Sequence, residues 1–185
     1  MIDDYLQDAR ERMHKSVDAT RATFGSVRTG RASPGLLDRI VVEYYGTQTP
    51  LKQMATVNAP EARLLTITPY DKSSMKAIER AIQESDLGLT PNNDGSIIRL
   101  QIPDMTEERR RDMVKVARQL AEEGRIAIRN IRRDVMHDLR ELKDAGEIGS
   151  DDEHRGEQAL QKLTDEQISE VDAALKAKEA EILEV

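Results

Sequence analysis

Five arginines, Arg111, Arg118, Arg125, Arg129 and Arg132, recur at intervals of 7, 7, 4 and 3 residues. At about 100° per helical residue they stay within roughly 60° of one line. A guanidinium is a planar fork that meets a phosphate through two parallel N–H bonds. A stripe made only of arginine, with Arg133 added in the run RNIRRD, therefore points to binding of a polyanion. The alternative for any charged helix face is a row of solvated ion pairs, and Glu122 is spaced to pair with Arg118 or Arg125. Other chemistry finds little support. The 185 residues contain no Cys, which removes thiolate nucleophiles, disulfides and thiolate metal sites. His14, His137 and His154 stand in separate segments without HExxH spacing, so no metal site is expected. There is no GxxxxGKS, GxxxxGKT or GxGxxG loop, and Arg28-Thr29-Gly30-Arg31 follows a helical pattern where a nucleotide loop would follow a strand. The acidic run Asp151-Asp152-Glu153 is explained by a helix start. The expectation is a binding protein and not an enzyme, with no catalytic residue and no cofactor.

The net charge of −7 conceals a gradient. Residues 107–133 carry nine basic and five acidic side chains, whereas residues 134–185 carry six and sixteen. RNA would be drawn to the first segment and repelled by the second, so the field can orient a docking pose. No apolar run reaches membrane-spanning length, and Met1 leads into an acidic amphipathic stretch without a signal core. A cytoplasmic protein is expected.

Three amphipathic stripes must position the arginines. Leu6, Ala9, Met13, Val17, Thr20, Phe24 and Val27 keep a 3-and-4 spacing that predicts a helix stopping near Gly30. Thr106 is a good N-cap for a second helix whose stripe is Met113, Ala117, Leu120, Gly124, Ala127, Ile131, Val135, Leu139 and Leu142. Gly146 and Gly149 end it, Ser150 and Glu153 form a capping-box pattern, and Leu160, Leu163, Ile168, Val171, Leu175 and Ile182 supply a third stripe. Between the first two helices, 39–45, 64–68 and 97–102 read as strands, Gly46, Pro50, Pro60, Pro69 and Asp94-Gly95 as turns, and 73–84 as a serine-capped helix. The predicted fold class is α+β: an elongated antiparallel three-helix bundle (1–30 and 105–185) with an inserted small β/α/β sandwich domain (31–104).

On five blocks the chain resembles the ribosome recycling factors from end to end: RTGRASPGLLDRI (28–40), VEYYGTQTPL (42–51), SDLGLTPNNDG (85–95), IRLQIPDMTEERRRDMVK (98–115) and RNIRRD (129–134). The resemblance implies a body shaped broadly like a tRNA that acts after translation termination. It implies binding to 23S rRNA of the large ribosomal subunit across the A and P sites, and subunit splitting with elongation factor G, which hydrolyses the GTP. Carried over by position, the rRNA contacts fall on Arg110, Arg129, Arg132 and Arg133, with Arg28 and Arg31 close to a hinge. That hinge maps to Thr29, Gly30, Arg31 and Ala32 on one crossing and to Pro103, Asp104 and Met105 on the other. A monomer is implied, without a membrane or a small-molecule substrate.

Overall fold

The computed structural model describes residues 1–184. Among them the elements run α1 (Ile2–Phe24), β1 (Val41–Tyr44), β2 (Thr47–Pro50), α2 (Leu51–Met54), β3 (Ala55–Glu61), β4 (Leu64–Pro69), α3 (Met75–Glu84), β5 (Pro91–Asn93), β6 (Ile98–Gln101), α4 (Glu107–Asp144) and α5 (Ser150–Leu183). The chain divides into two compact units, residues 1–24 with 114–184, and residues 25–113. The α+β class and the three-helix bundle with an inserted sheet domain are as expected.

The first unit is the bundle. The α1 stripe holds, with Ala9, Met13, Val17, Thr20 and Phe24 buried, but the helix ends at Phe24 and not near Gly30. On α4 the buried face is Val114, Ala117, Ala121, Gly124, Ile128, Ile131, Val135 and Leu139. Leu120, Ala127 and Leu142, expected in the core, are half-buried instead. A helix covered by two neighbours buries a broad sector, and spacing alone does not say where its edges fall. The chain reverses after α4 at Gly146, whose φ of 76° suits a left-handed C-cap. Gly146 N–H donates to the Lys143 carbonyl and Glu147 N–H to that of Leu142, both at 2.9 Å, closing the last turn. The expected capping box at Ser150 does not form. Gly149 is the N-cap, Ser150 is already helical, and Glu153 pairs with Lys143 of α4 at 3.1 Å.

Glycines and cross-pairs fix how these helices run. A Cβ on Gly156 of α5 would sit 3.1 Å from Leu139 of α4 and 3.4 Å from Ile2 of α1. Arg12 reaches Asp134 of α4 at 3.1 Å, Thr20 abuts Gly124, and Arg21 reaches Glu170 of α5 at 3.4 Å. Hence α1 and α5 run parallel to each other, with α4 antiparallel to both.

The second unit holds a four-stranded antiparallel sheet in the order β3-β4-β6-β5 and a separate β1-β2 hairpin. The central strands alternate strictly: Leu65 and Ile67 of β4, and Ile98 and Leu100 of β6, are fully buried, and Met75, Ile78 and Ile82 of α3 join the same core. The sheet edges carry Pro60 in β3 and Pro91 in β5, where a missing N–H costs no ladder bond. Pro50, Pro60 and Pro69 therefore lie in strands and not in turns. The turns expected at Gly46 and Asp94-Gly95 do form: Tyr45-Gly46 joins β1 to β2 with φ of 49° and 76°, and Asp94 N–H donates to the Ile97 carbonyl at 3.2 Å. At the start of α3 the expected serine cap is replaced by Asp71, whose carboxylate accepts from Ser73 N–H at 2.9 Å and opens a short turn at 72–74.

Candidate nucleic-acid interface

The six arginines carried over as rRNA contacts fall into two groups. Arg129, Arg132 and Arg133 stand on α4 in the first unit, and Arg28, Arg31 and Arg110 belong to the second.

Along α4 the commitment of each guanidinium changes with its neighbours. Arg118 Nε donates to Glu179 Oε1 of α5 at 2.7 Å. Arg125, with its side chain 19% exposed, reaches Asp172 of α5 at 2.6 Å and Glu122 at 3.0 Å. Burial opposes the charge on Arg125, but the bonds to Asp172 and Glu122 outweigh it and raise its pKa. Glu122 is held below the usual carboxylate range, first by Arg125 and then by Arg129. Arg129 is 3.1 Å from Glu122, and Arg111 in the second unit pairs with Glu107 at 2.5 Å. The ion-pair alternative therefore describes Arg111, Arg118 and Arg125. It does not describe the end of the stripe. Arg132 touches only the Met136 sulfur, a weak acceptor, at 3.3 Å, and Arg133 only the Asn130 amide oxygen at 3.5 Å. Neither has a carboxylate partner among the described residues, because no Asp or Glu stands three or four residues away from either on α4. Two guanidiniums without a carboxylate and one held by a single exchangeable ion pair can turn to an outside anion at little cost.

In the second unit Arg28 is half-buried, and its Nη2 is buried without a hydrogen-bond partner. Arg31 is exposed, and its N–H donates to the buried Thr29 hydroxyl at 3.3 Å. Arg110 is half-buried, and its Nε donates to the Met105 carbonyl at 3.4 Å. The two segments expected to bend lie side by side here. Gly30 has φ of 80°, and a Cβ there would lie 3.8 Å from Met105 Cγ. Thr29, Gly30, Ile102 and Met105 help line a cavity of about 250 Å³. Ala32 is half-buried, while Pro103 and Asp104 are exposed. Asp104 pairs with Arg63 at the β3–β4 turn, a residue that the sequence reading missed because it did not find β3.

Among the described residues no three His, Asp or Glu side chains form a metal-ligand set, and no helix is long and apolar enough to cross a membrane.

Known proteins resemble this chain over its full length. The family model for "Ribosome recycling factor" matches residues 20–183. The chain is 58% identical over 180 residues to the ribosome-recycling factor of Rubrobacter xylanophilus, covering 97% of each protein. It is 54% identical over 185 residues to that of Carboxydothermus hydrogenoformans, covering 100% of both. A solution structure of the ribosome recycling factor matches with a TM-score of 0.76 at 38% identity, covering 100% of this chain and 98% of the other. A second match, with a TM-score of 0.71, 45% identity and 99% coverage of each chain, is a structure of the T. thermophilus factor and E. coli elongation factor G bound to the E. coli post-termination complex. The fold and the full-length likeness define a translation factor. The chain belongs to the ribosome recycling factor family.

Proposed function

We propose that this protein recycles ribosomes after termination. It docks on 23S rRNA of the large subunit across the A and P sites, and with elongation factor G, whose GTP hydrolysis supplies the work, it splits the ribosome into subunits. The observation that carries the docking step is the pair Arg132 and Arg133, without carboxylates beside Arg129 at the end of a stripe whose members Arg118 and Arg125 are tied to α5. Such contacts read backbone phosphate and RNA shape more than base sequence. Arg28, Arg31 and Arg110 add further cations around the two crossings. The protein acts as a cytoplasmic monomer, and its role is mechanical, with the chemistry left to the partner.

In this reading the domain comprising 31–104 is the lever and the bundle of 1–30 and 105–185 is the docked body. Thr29 to Ala32 and Pro103 to Met105 form the two strands of the hinge. Gly30 favours the assignment, since its left-handed backbone is one that only glycine adopts cheaply. The test is binding to purified large subunits across a salt series, native chain against Arg132→Ala. Losing one phosphate contact should flatten the slope of log K against log salt by about 0.7 to 0.9. Binding insensitive to both salt and Arg132 would leave only a protein-binding scaffold.

A further inference from the structure

Two segments of chain cross out of the sheet domain, and a single two-residue turn holds both of them. The β3–β4 hairpin closes through Ala62 and Arg63, with Glu61 opposite Leu64. The Ala62 carbonyl accepts the N–H of Ala32, on the first crossing, at 2.7 Å. The next carbonyl, that of Arg63, accepts the N–H of Ile102, on the second crossing, at 2.8 Å. The Arg63 guanidinium then reaches two residues further along the second crossing to pair with the Asp104 carboxylate. Beyond this point the second crossing has almost no free length. Thr106 is already tied to the start of α4, its hydroxyl accepting from Arg109 N–H at 3.1 Å. Only Met105 lies between the two attachments, and it packs beside Gly30 of the first crossing.

We propose that Arg63 is a positioning residue for subunit splitting: the β3–β4 turn is a clasp that pins Ala32, Ile102 and Asp104 and so shortens the free length of both crossings, leaving on the second only Met105 before the start of α4. This rests on the hinge reading above. Rotation spread over a longer, softer segment would absorb an applied push, whereas rotation about one short axis delivers it to the docked body. The backbone bonds form the permanent part of the clasp. The Arg63–Asp104 pair is its adjustable part, because both side chains are solvent-exposed and neither is needed for the core.

The absence of native cysteine allows a clean test in the full chain. Nitroxides at Lys52→Cys and Lys176→Cys, both exposed positions, report the distribution of distances between the two units by electron paramagnetic resonance. Arg63→Ala should broaden that distribution, leave large-subunit affinity unchanged and slow splitting with elongation factor G by about two- to fivefold, the range set by an exposed ion pair. The double reversal Arg63→Asp with Asp104→Arg should restore both the width and the rate. An unchanged width, a native splitting rate despite a broadened distribution, or a reversal that fails to rescue would each overturn the proposal. Failure of the native chain to split ribosomes would instead refute the recycling function, while the width measurement would still decide whether the clasp exists.

Discussion

Force delivered to a docked bundle is useful only if the bundle is stiff, and its tightest crossing is at Gly124. A Cβ placed there would lie 2.4 Å from Thr20 Oγ1 and 3.3 Å from both Thr20 Cβ and Cγ2. Thr20 is a poor candidate for yielding. It is buried and β-branched, and its hydroxyl donates to the Ser16 carbonyl at 2.9 Å, so turning χ1 replaces one clash with another and breaks a bond. Gly124→Ala would gain about 1 kcal/mol of helix propensity. Overpacking at such a contact costs about 1–3 kcal/mol, leaving a net loss of about 0–2 kcal/mol. At about 2–4 °C per kcal/mol for a chain of this length, the melting temperature followed by circular dichroism should fall, by no more than about 8 °C. In a Thr20→Ala background the same substitution should become neutral or stabilising, a coupling of about 1 kcal/mol or more. Gly156→Ala is the control. Its nearest neighbours are Leu139 Cδ1 and Ile2 Cγ2 at 3.1 and 3.4 Å, which need give only slightly, so the same propensity gain should leave it neutral to stabilising by up to about 1 kcal/mol. If Gly124→Ala raises the melting temperature, or shows no coupling to Thr20, the close-packed crossing is wrong.

Arg125→Ala should destabilise the bundle by about 1 kcal/mol, because its carboxylate partners are half-exposed, yet leave the salt slope of large-subunit binding unchanged, the opposite of Arg132→Ala. An equal loss of slope in both variants would contradict the division of the stripe. Tyr44 donates to Asp71 at 2.7 Å, and that bond first, with burial and the Asp71 charge behind it, pushes its pKa up to about 12. The folded state thus holds a proton that the unfolded state releases near pH 10, so this contribution is complete below pH 10 and is lost as pH rises toward 12. Ultraviolet titration should show a late phenolate that Tyr44→Phe removes. Persistence of the late phase in that variant would assign it to another tyrosine.

How far the sequence reaches is clearest on the helices. The α1 stripe from Ala9 to Phe24 lies where its spacing placed it, because a long helix with one covered face repeats its apolar signal many times. On α4 the same method put Leu120 and Ala127 in the core and overlooked Ala121 and Ile128, whose burial depends on where two neighbouring helices meet. Strands β2, β3 and β5 escaped notice because they are mostly exposed, β2 and β5 being short as well, and edge strands lack the apolar alternation by which β4 and β6 were found.

The arginines make the same division. Their type and spacing are written in the chain, and so is the likeness of five long blocks to one family. Which of them remain available is not, because Arg118 and Arg125 are engaged by Glu179 and Asp172, residues 61 and 47 positions away. The clasp at Arg63 is likewise invisible in one dimension, since it needs a hairpin turn to meet two crossings distant from it in sequence. Local periodicity encodes what a residue can do. Only tertiary packing decides which charges are neutralised and which are left facing outward.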